Sequence, residues 1–199
     1  MTDAAERAEI RELIECWVIW RDGGDWDRFA TLWHPQGWMA ATWFQAPAAD
    51  FIARSRAAWE NGLTVYHTLG GTAVEMADNR AVAETRMQIV QRAAVDGVEA
   101  DVTCLGRFWD AWARVDGRWL LRLRQPIYEL DWIRPVDPAR TLRLDPDLLG
   151  SFPIGYRHLA YLQTGLGFAV ARDLPGTRGP AIAALRDKGR RWLAGDDPF

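Results

Sequence analysis

The chain is poor in the residues that usually announce chemistry. It has two cysteines and three histidines among 199 residues, and Lys188 is its one lysine. Cys16 and Cys104 share no spacing motif, which excludes a disulfide framework or a thiolate metal site. They read as buried thiols of a reducing compartment, so a cytoplasmic location is expected. His34, His67 and His158 lack metal-ligand spacing, so no metal is expected. Gly165-Leu166-Gly167 lacks a third glycine and a preceding strand, which excludes a dinucleotide loop. No cofactor is expected. No run of about 18 apolar residues is present to cross a bilayer, and the opening Met1-Thr2-Asp3-Ala4-Ala5-Glu6 is too polar for a signal peptide. A net charge of -3 argues against a nucleic-acid groove.

Tryptophan, in contrast, is abundant. There are 12, in a chain that is 49% hydrophobic and 26% charged. Aromatic rings at this density serve core and subunit packing, or line a concave apolar pocket. Trp20, Trp38, Trp43, Met87 and Trp109 are the candidate lining. Tyr66 and Tyr128 are candidate hydroxyl donors, although strand alternation turns Tyr66 away from its neighbour His67. A small hydrophobic molecule is the expected partner, with neither nucleic acid nor membrane.

Apolar periodicity predicts a helix over residues 4–21, with Ile10, Leu13, Ile14, Trp17 and Trp20 on one face. Gly23-Gly24 ends it. Asp25 is placed to cap a short second helix. His34-Pro35-Gln36-Gly37 reads as a turn, residues 38–44 as a strand, and Ala48 to Glu60 as a third helix. Strands follow over residues 64–76, 81–94, 98–115 and 118–132, joined at Asp78-Asn79, Asp96-Gly97 and Asp116-Gly117. Helices followed by meander strands predict an α+β fold: a cone-shaped, curved antiparallel sheet with N-terminal helices packed on it. Composition shifts at Pro135. Residues 1–134 are expected to form the α+β barrel domain. Residues 135–199 read as a helical C-terminal extension packing on that domain or on a neighbouring subunit.

Asp22, at the glycine break, and His67, in a strand, are the central candidates. An imidazole held by a carboxylate is a general base near neutral pH. Read alone, each has a plainer role: Asp22 suits a helix-end cap, and His67 a hydrogen-bonded core position.

The order of elements, with Arg21-Asp22-Gly23-Gly24-Asp25-Trp26-Asp27 closing the first helix and Trp33-His34 following, resembles the SnoaL-like group of the nuclear transport factor 2-like superfamily over roughly residues 5–133, about one domain. The dehydratase and dehydrochlorinase pattern is most similar. The resemblance implies that Asp22 orients His67 across a pocket and that Arg124 stabilises developing negative charge, although Arg122 shares its face by period two. Trp17 stands where the dehydrochlorinase has a pocket lysine, which argues against dehalogenation. The resemblance implies a cofactor-independent lyase, of dehydratase type, on a small hydrophobic substrate that includes ring compounds. An isomerase or cyclase using the same dyad, and a non-catalytic ligand-binding or assembly subunit, are the alternatives. It also implies a homo-oligomer, trimer or dimer.

Overall fold

Ile10, Ile14, Trp17 and Val18 make the buried stripe of the first helix, α1 (Asp3–Gly23). The computed structural model describes residues 3–199; Met1 and Thr2 of the polar N-terminal stretch lie outside it. Gly24 at φ 76° stops the helix. A side chain there would have to leave the left-handed region and would collide with the Trp59 ring. Asp25 then accepts the Arg28 N–H and caps α2 (Trp26–Thr31).

Strand β1 spans Trp33–Ala40 and β2 spans Gln45–Pro47, ahead of helix α3 (Ala48–Glu60). The expected turn at His34-Pro35-Gln36-Gly37 is therefore strand. Its turn-forming residues are absorbed in a register shift between Trp33 and Trp38 against the last strand, as a bulge absorbs extra residues. The four long strands are β3 (Thr64–Ala77), β4 (Arg80–Val95), β5 (Val98–Val115) and β6 (Arg118–Pro135). Asp96-Gly97 and Asp116-Gly117 both have positive φ at each residue, the type I′ geometry that matches strand twist.

The sheet order is β2-β1-β6-β5-β4-β3. Its meander pairs are antiparallel, but β1 joins β6 in parallel, so the sheet is mixed. The cone does not close: β2 and β3 are edges. The architecture is α+β, with α1 and α3 against the sheet. At Gly106 the Ile127 carbonyl approaches so closely that a Cβ would overlap it; only glycine fits beside this irregularity in the β5–β6 register.

Beyond Pro135, α4 (Pro146–Gly150), α5 (Arg157–Gly165) and α6 (Pro180–Leu193) follow. Helix α5 contributes Leu159, Ala160 and Leu162 to the main core. Helix α6 covers the opposite sheet face, burying Ile182, Leu185 and Trp192 against Trp109, Ala111, Leu123 and Ile127. Both faces of the sheet are thus covered in part. This explains the nearly continuous burial along the second half of β5.

Candidate functional site

Asp22 is the second-last residue of α1, and His67 is the fourth of the edge strand β3. An edge strand leaves every second N–H without a strand partner. Asp22 takes one of these: its Oδ2 accepts the His67 backbone N–H at 2.7 Å. Its Oδ1 lies 2.9 Å from the His67 Nδ1. An ionised carboxylate only accepts, so Nδ1 carries the hydrogen and Nε2 keeps the lone pair. The His67 and Asp22 side chains are 6% and 14% exposed.

Burial pushes the imidazole below its ordinary value of 6.5; the Asp22 contacts oppose this, while the charges of Arg21 and Arg124 add to it. Burial acts on Asp22 in the other direction. Hydrogen bonds from His67 and the Arg21 charge outweigh it, and hold the carboxyl below 3.8. The pair therefore stands at neutral pH as a carboxylate beside a neutral imidazole.

The imidazole lines a cavity of about 50 Å³. Trp17, Arg21 and Phe108 share its wall, and Trp43 and Phe168 stand elsewhere around it, their rings 5.2 Å apart. Trp17 meets His67 edge-on at 5.6 Å. The remaining polar lining is Thr42, Gln91, Tyr128 and Gln163.

The structure brings together Asp22, His67, Trp43 and Tyr128. Arg124 is fully buried but lies outside the lining. It forms a two-point pair with Asp110, at 2.8 and 2.7 Å, and its guanidinium stacks on Trp17 and Phe108 at 4.3 and 4.1 Å. Trp20, Trp38, Met87 and Trp109 do not line the cavity. Met39 and Phe108 line it instead of their strand neighbours Trp38 and Trp109, since alternation sends adjacent residues to opposite faces. Trp38 is 39% exposed. Trp109 packs under α6. Trp20 is half-buried against the core and Met87 fully buried within it.

Sequence reasoning passed over Arg21, which lines the cavity, donates to Asp22 at 3.0 Å and leaves its Nε without a partner among the described residues. Its signal was present: Arg21 follows Trp17 by four residues, on the same helix face. It also passed over Gln91 and Gln163. Gln163 reaches Gln91 across 72 residues of chain and Thr42 across 121, a separation no local pattern reports.

Among the described residues no cluster of metal-ligating side chains is found, and no helix is long and apolar enough to cross a membrane.

The chain is 36% identical over 204 residues to pea pathogenicity protein 2 of Fusarium vanettenii, an alignment covering 97% of this chain and 88% of that one. It is 37% identical over 208 residues to an uncharacterized protein of Emericella nidulans, covering 96% and 87%. Among solved structures, a putative scytalone dehydratase from Novosphingobium aromaticivorans superposes with a TM-score of 0.56 at 14% identity, covering 71% of this chain and 97% of that one. A type 2 hexachlorocyclohexane dehydrochlorinase gives 0.54 at 15% identity, covering 72% and 95%. At these identities the two structures speak to fold alone. Residues 2–125 match the SnoaL-like domain model, and with it the chain belongs to the SnoaL-like family of the nuclear transport factor 2-like fold.

Proposed function

We propose that this protein is a cofactor-independent lyase that eliminates water from a small hydrophobic substrate, ring compounds included. The observation that carries the reading is the 2.9 Å contact of Asp22 with the His67 Nδ1, at the wall of an apolar cavity. His67 Nε2 is the general base. Asp22 fixes its tautomer and stabilises the imidazolium formed during the reaction, as the acid of a hydrolytic triad does, with no nucleophile needed. Arg21, on the cavity wall, takes the charge-stabilising role that the sequence assigned to Arg124. Arg124 supports the site from behind Trp17 and Phe108. The solved dehydratase and dehydrochlorinase of the same fold are consistent with elimination; fold alone does not select a reaction.

The test is product mass from a panel of cyclic β-hydroxy ketones. Elimination releases one water, whereas isomerisation by the same dyad leaves the mass unchanged. His67→Ala should lower turnover at least about a hundredfold; an unchanged rate excludes His67 as the base.

A second reading has one observation in its favour. A cavity of about 50 Å³ holds a few water molecules, well short of the roughly 300–1,000 Å³ of small-molecule sites. A packed interior of this kind suits a non-catalytic subunit. Wild-type protein that turns over nothing in the panel and binds no cyclic ketone would favour this alternative.

A further inference from the structure

The rest of the polar lining is wired in one direction. Thr42 Oγ1 donates to Gln163 Oε1 at 2.6 Å, and Gln163 Nε2 donates to Gln91 Oε1 at 3.0 Å. All three residues are at most 4% exposed. The Thr42 hydrogen is thus committed to Gln163 Oε1, which sets the sense of the chain. A reversed Gln163 would face the hydroxyl with N–H, and Gln91 would then turn its oxygen to the cavity. In the sense observed, Gln91 spends its oxygen on Gln163. Its own N–H groups meet no protein acceptor among the described residues, and the residue lines the cavity.

Position adds to this. Val65 pairs with Gln91 and His67 with Ile89. His67 and Gln91 are therefore diagonal neighbours on one sheet face, a spacing of about 7–8 Å. One wall thus carries a lone pair at Nε2 and, one diagonal away, a buried pair of N–H donors. Two such poles suit a molecule with an acidic C–H close to an acceptor oxygen.

We propose that Gln91 donates to the carbonyl oxygen of the substrate, that the Thr42–Gln163 relay holds it in this orientation, and that the substrates are accordingly β-hydroxy carbonyl compounds. This deepens the lyase reading and depends on it for the chemistry, but not for the binding. His67 Nε2 removes the proton next to the carbonyl. The C–H electron pair moves toward the carbonyl, whose oxygen gains negative charge against the Gln91 N–H groups. The carbonyl then re-forms, the α–β double bond closes and the β-carbon–oxygen bond breaks. The imidazolium gives its proton to the departing hydroxide, beside Arg21. Water leaves, and His67 ends neutral.

Gln163 belongs to α5, beyond the span matched by the family model. The C-terminal extension therefore takes part in substrate choice.

The experiment compares cyclohexanone with methylenecyclohexane, which has the same shape but no acceptor. Calorimetry on the full chain should show the ketone binding about tenfold or more tightly. The infrared carbonyl stretch of bound cyclohexanone should move to lower frequency than in hydrocarbon solvent. Gln91→Met should abolish both effects, and Thr42→Val should weaken them by releasing the relay. Both effects are read by binding without turnover, so a failed elimination assay and a failed carbonyl site give different results. Should Gln91→Met not fold, the wild-type affinity ratio and carbonyl frequency still decide. Equal affinities, no binding of either compound, or an unshifted carbonyl stretch overturns the proposal.

Discussion

Asp22 grips residue 67 at two points, the backbone N–H at 2.7 Å and the ring Nδ1 at 2.9 Å. One carboxylate thus fixes both where the strand lies and which ring nitrogen carries the proton. Asp22→Asn keeps the shape but removes the charge, and its amide can meet Nδ1 with hydrogens. We expect a loss of about 2–3 kcal/mol in denaturant unfolding, the range for hydrogen bonds to a charged group. The imidazole ¹⁵N spectrum should change from a predominantly Nδ1–H tautomer to a mixture. An Asp22→Asn spectrum identical to wild type would refute the orienting role.

The dyad also fixes a pH dependence. Burial lowers the His67 pKa below 6.5, so the unfolded chain takes up this proton at a higher pH than the folded one does. The His67 contribution to stability is fully present above about pH 6.5 and is lost as pH falls through the depressed folded value. His34, also lowered by burial, adds a contribution of the same sign. Asp22 contributes in a more acidic window, present above 3.8 and lost as pH falls through its depressed folded value. Urea unfolding at pH 8 and pH 5 should show lower stability at pH 5. His67→Gln should flatten the difference; a slope unchanged in that variant would remove His67 as its source. Turnover should hold down to a pH below 6.5 before falling, because the base stays neutral there.

Arg124 and Asp110 are fully buried as a pair, and burial pushes the Asp110 carboxyl up against the pull of Arg124. Arg124→Met removes the partner and leaves a buried acid alone, at a cost of about 3–5 kcal/mol. A double variant, Asp110→Leu with Arg124→Met, should recover much of that. Such non-additivity in chemical denaturation is the signature of a structural pair. Additive losses would mean that the two residues act separately.

The same arginine shows where sequence reading stops. Period two places Arg122 and Arg124 on one face. In the structure the β5–β6 register shifts at this point, Ala111 facing Leu123 and Trp112 facing Leu121. Arg122 is left at the irregularity, reaching the Phe199 carbonyl near the C-terminus, while Arg124 turns into the core. A bulge is set by tertiary fit, and alternation is blind to it. The long strands, the aspartate–glycine hairpins and the Asp22–His67 meeting were legible, because each rests on a local pattern or on the family order of elements. The parallel β1–β6 pairing was not. Nor were the tryptophan faces, since composition counts rings without orienting them.

Phe168 stands over Trp43 at the cavity. Phe168→Ala removes a ring from its lining, and should admit cyclic ketones larger than those the wild type binds. Affinity measured across a series of increasing ring size should shift its optimum upward. An unmoved optimum would place the size limit elsewhere, at Trp17 or at Phe51, which also lines the cavity.

Asp131, on β6 and directly across the sheet from His67, repeats the grip of Asp22. It accepts the backbone N–H groups of His158 and Leu159 at 2.6 and 2.9 Å, and lies 2.8 Å from the His158 Nδ1. These are the first turn of α5, whose N–H groups have no acceptor within the helix. The carboxylate therefore pins to β6 the helix that carries Leu159 and Gln163 to the cavity. Asp131→Ala strands several N–H groups, and should cost about 2–4 kcal/mol of stability. The loss should be local first: amide exchange should accelerate across residues 157–165 while β4 and β5 stay protected. Since Gln163 holds Gln91 in place, freeing α5 should also erode the preference for cyclohexanone over methylenecyclohexane, although Asp131 does not line the cavity. Retention of that preference alongside faster exchange in α5 would show that Gln91 keeps its orientation without the helix, and that the extension has no part in substrate choice.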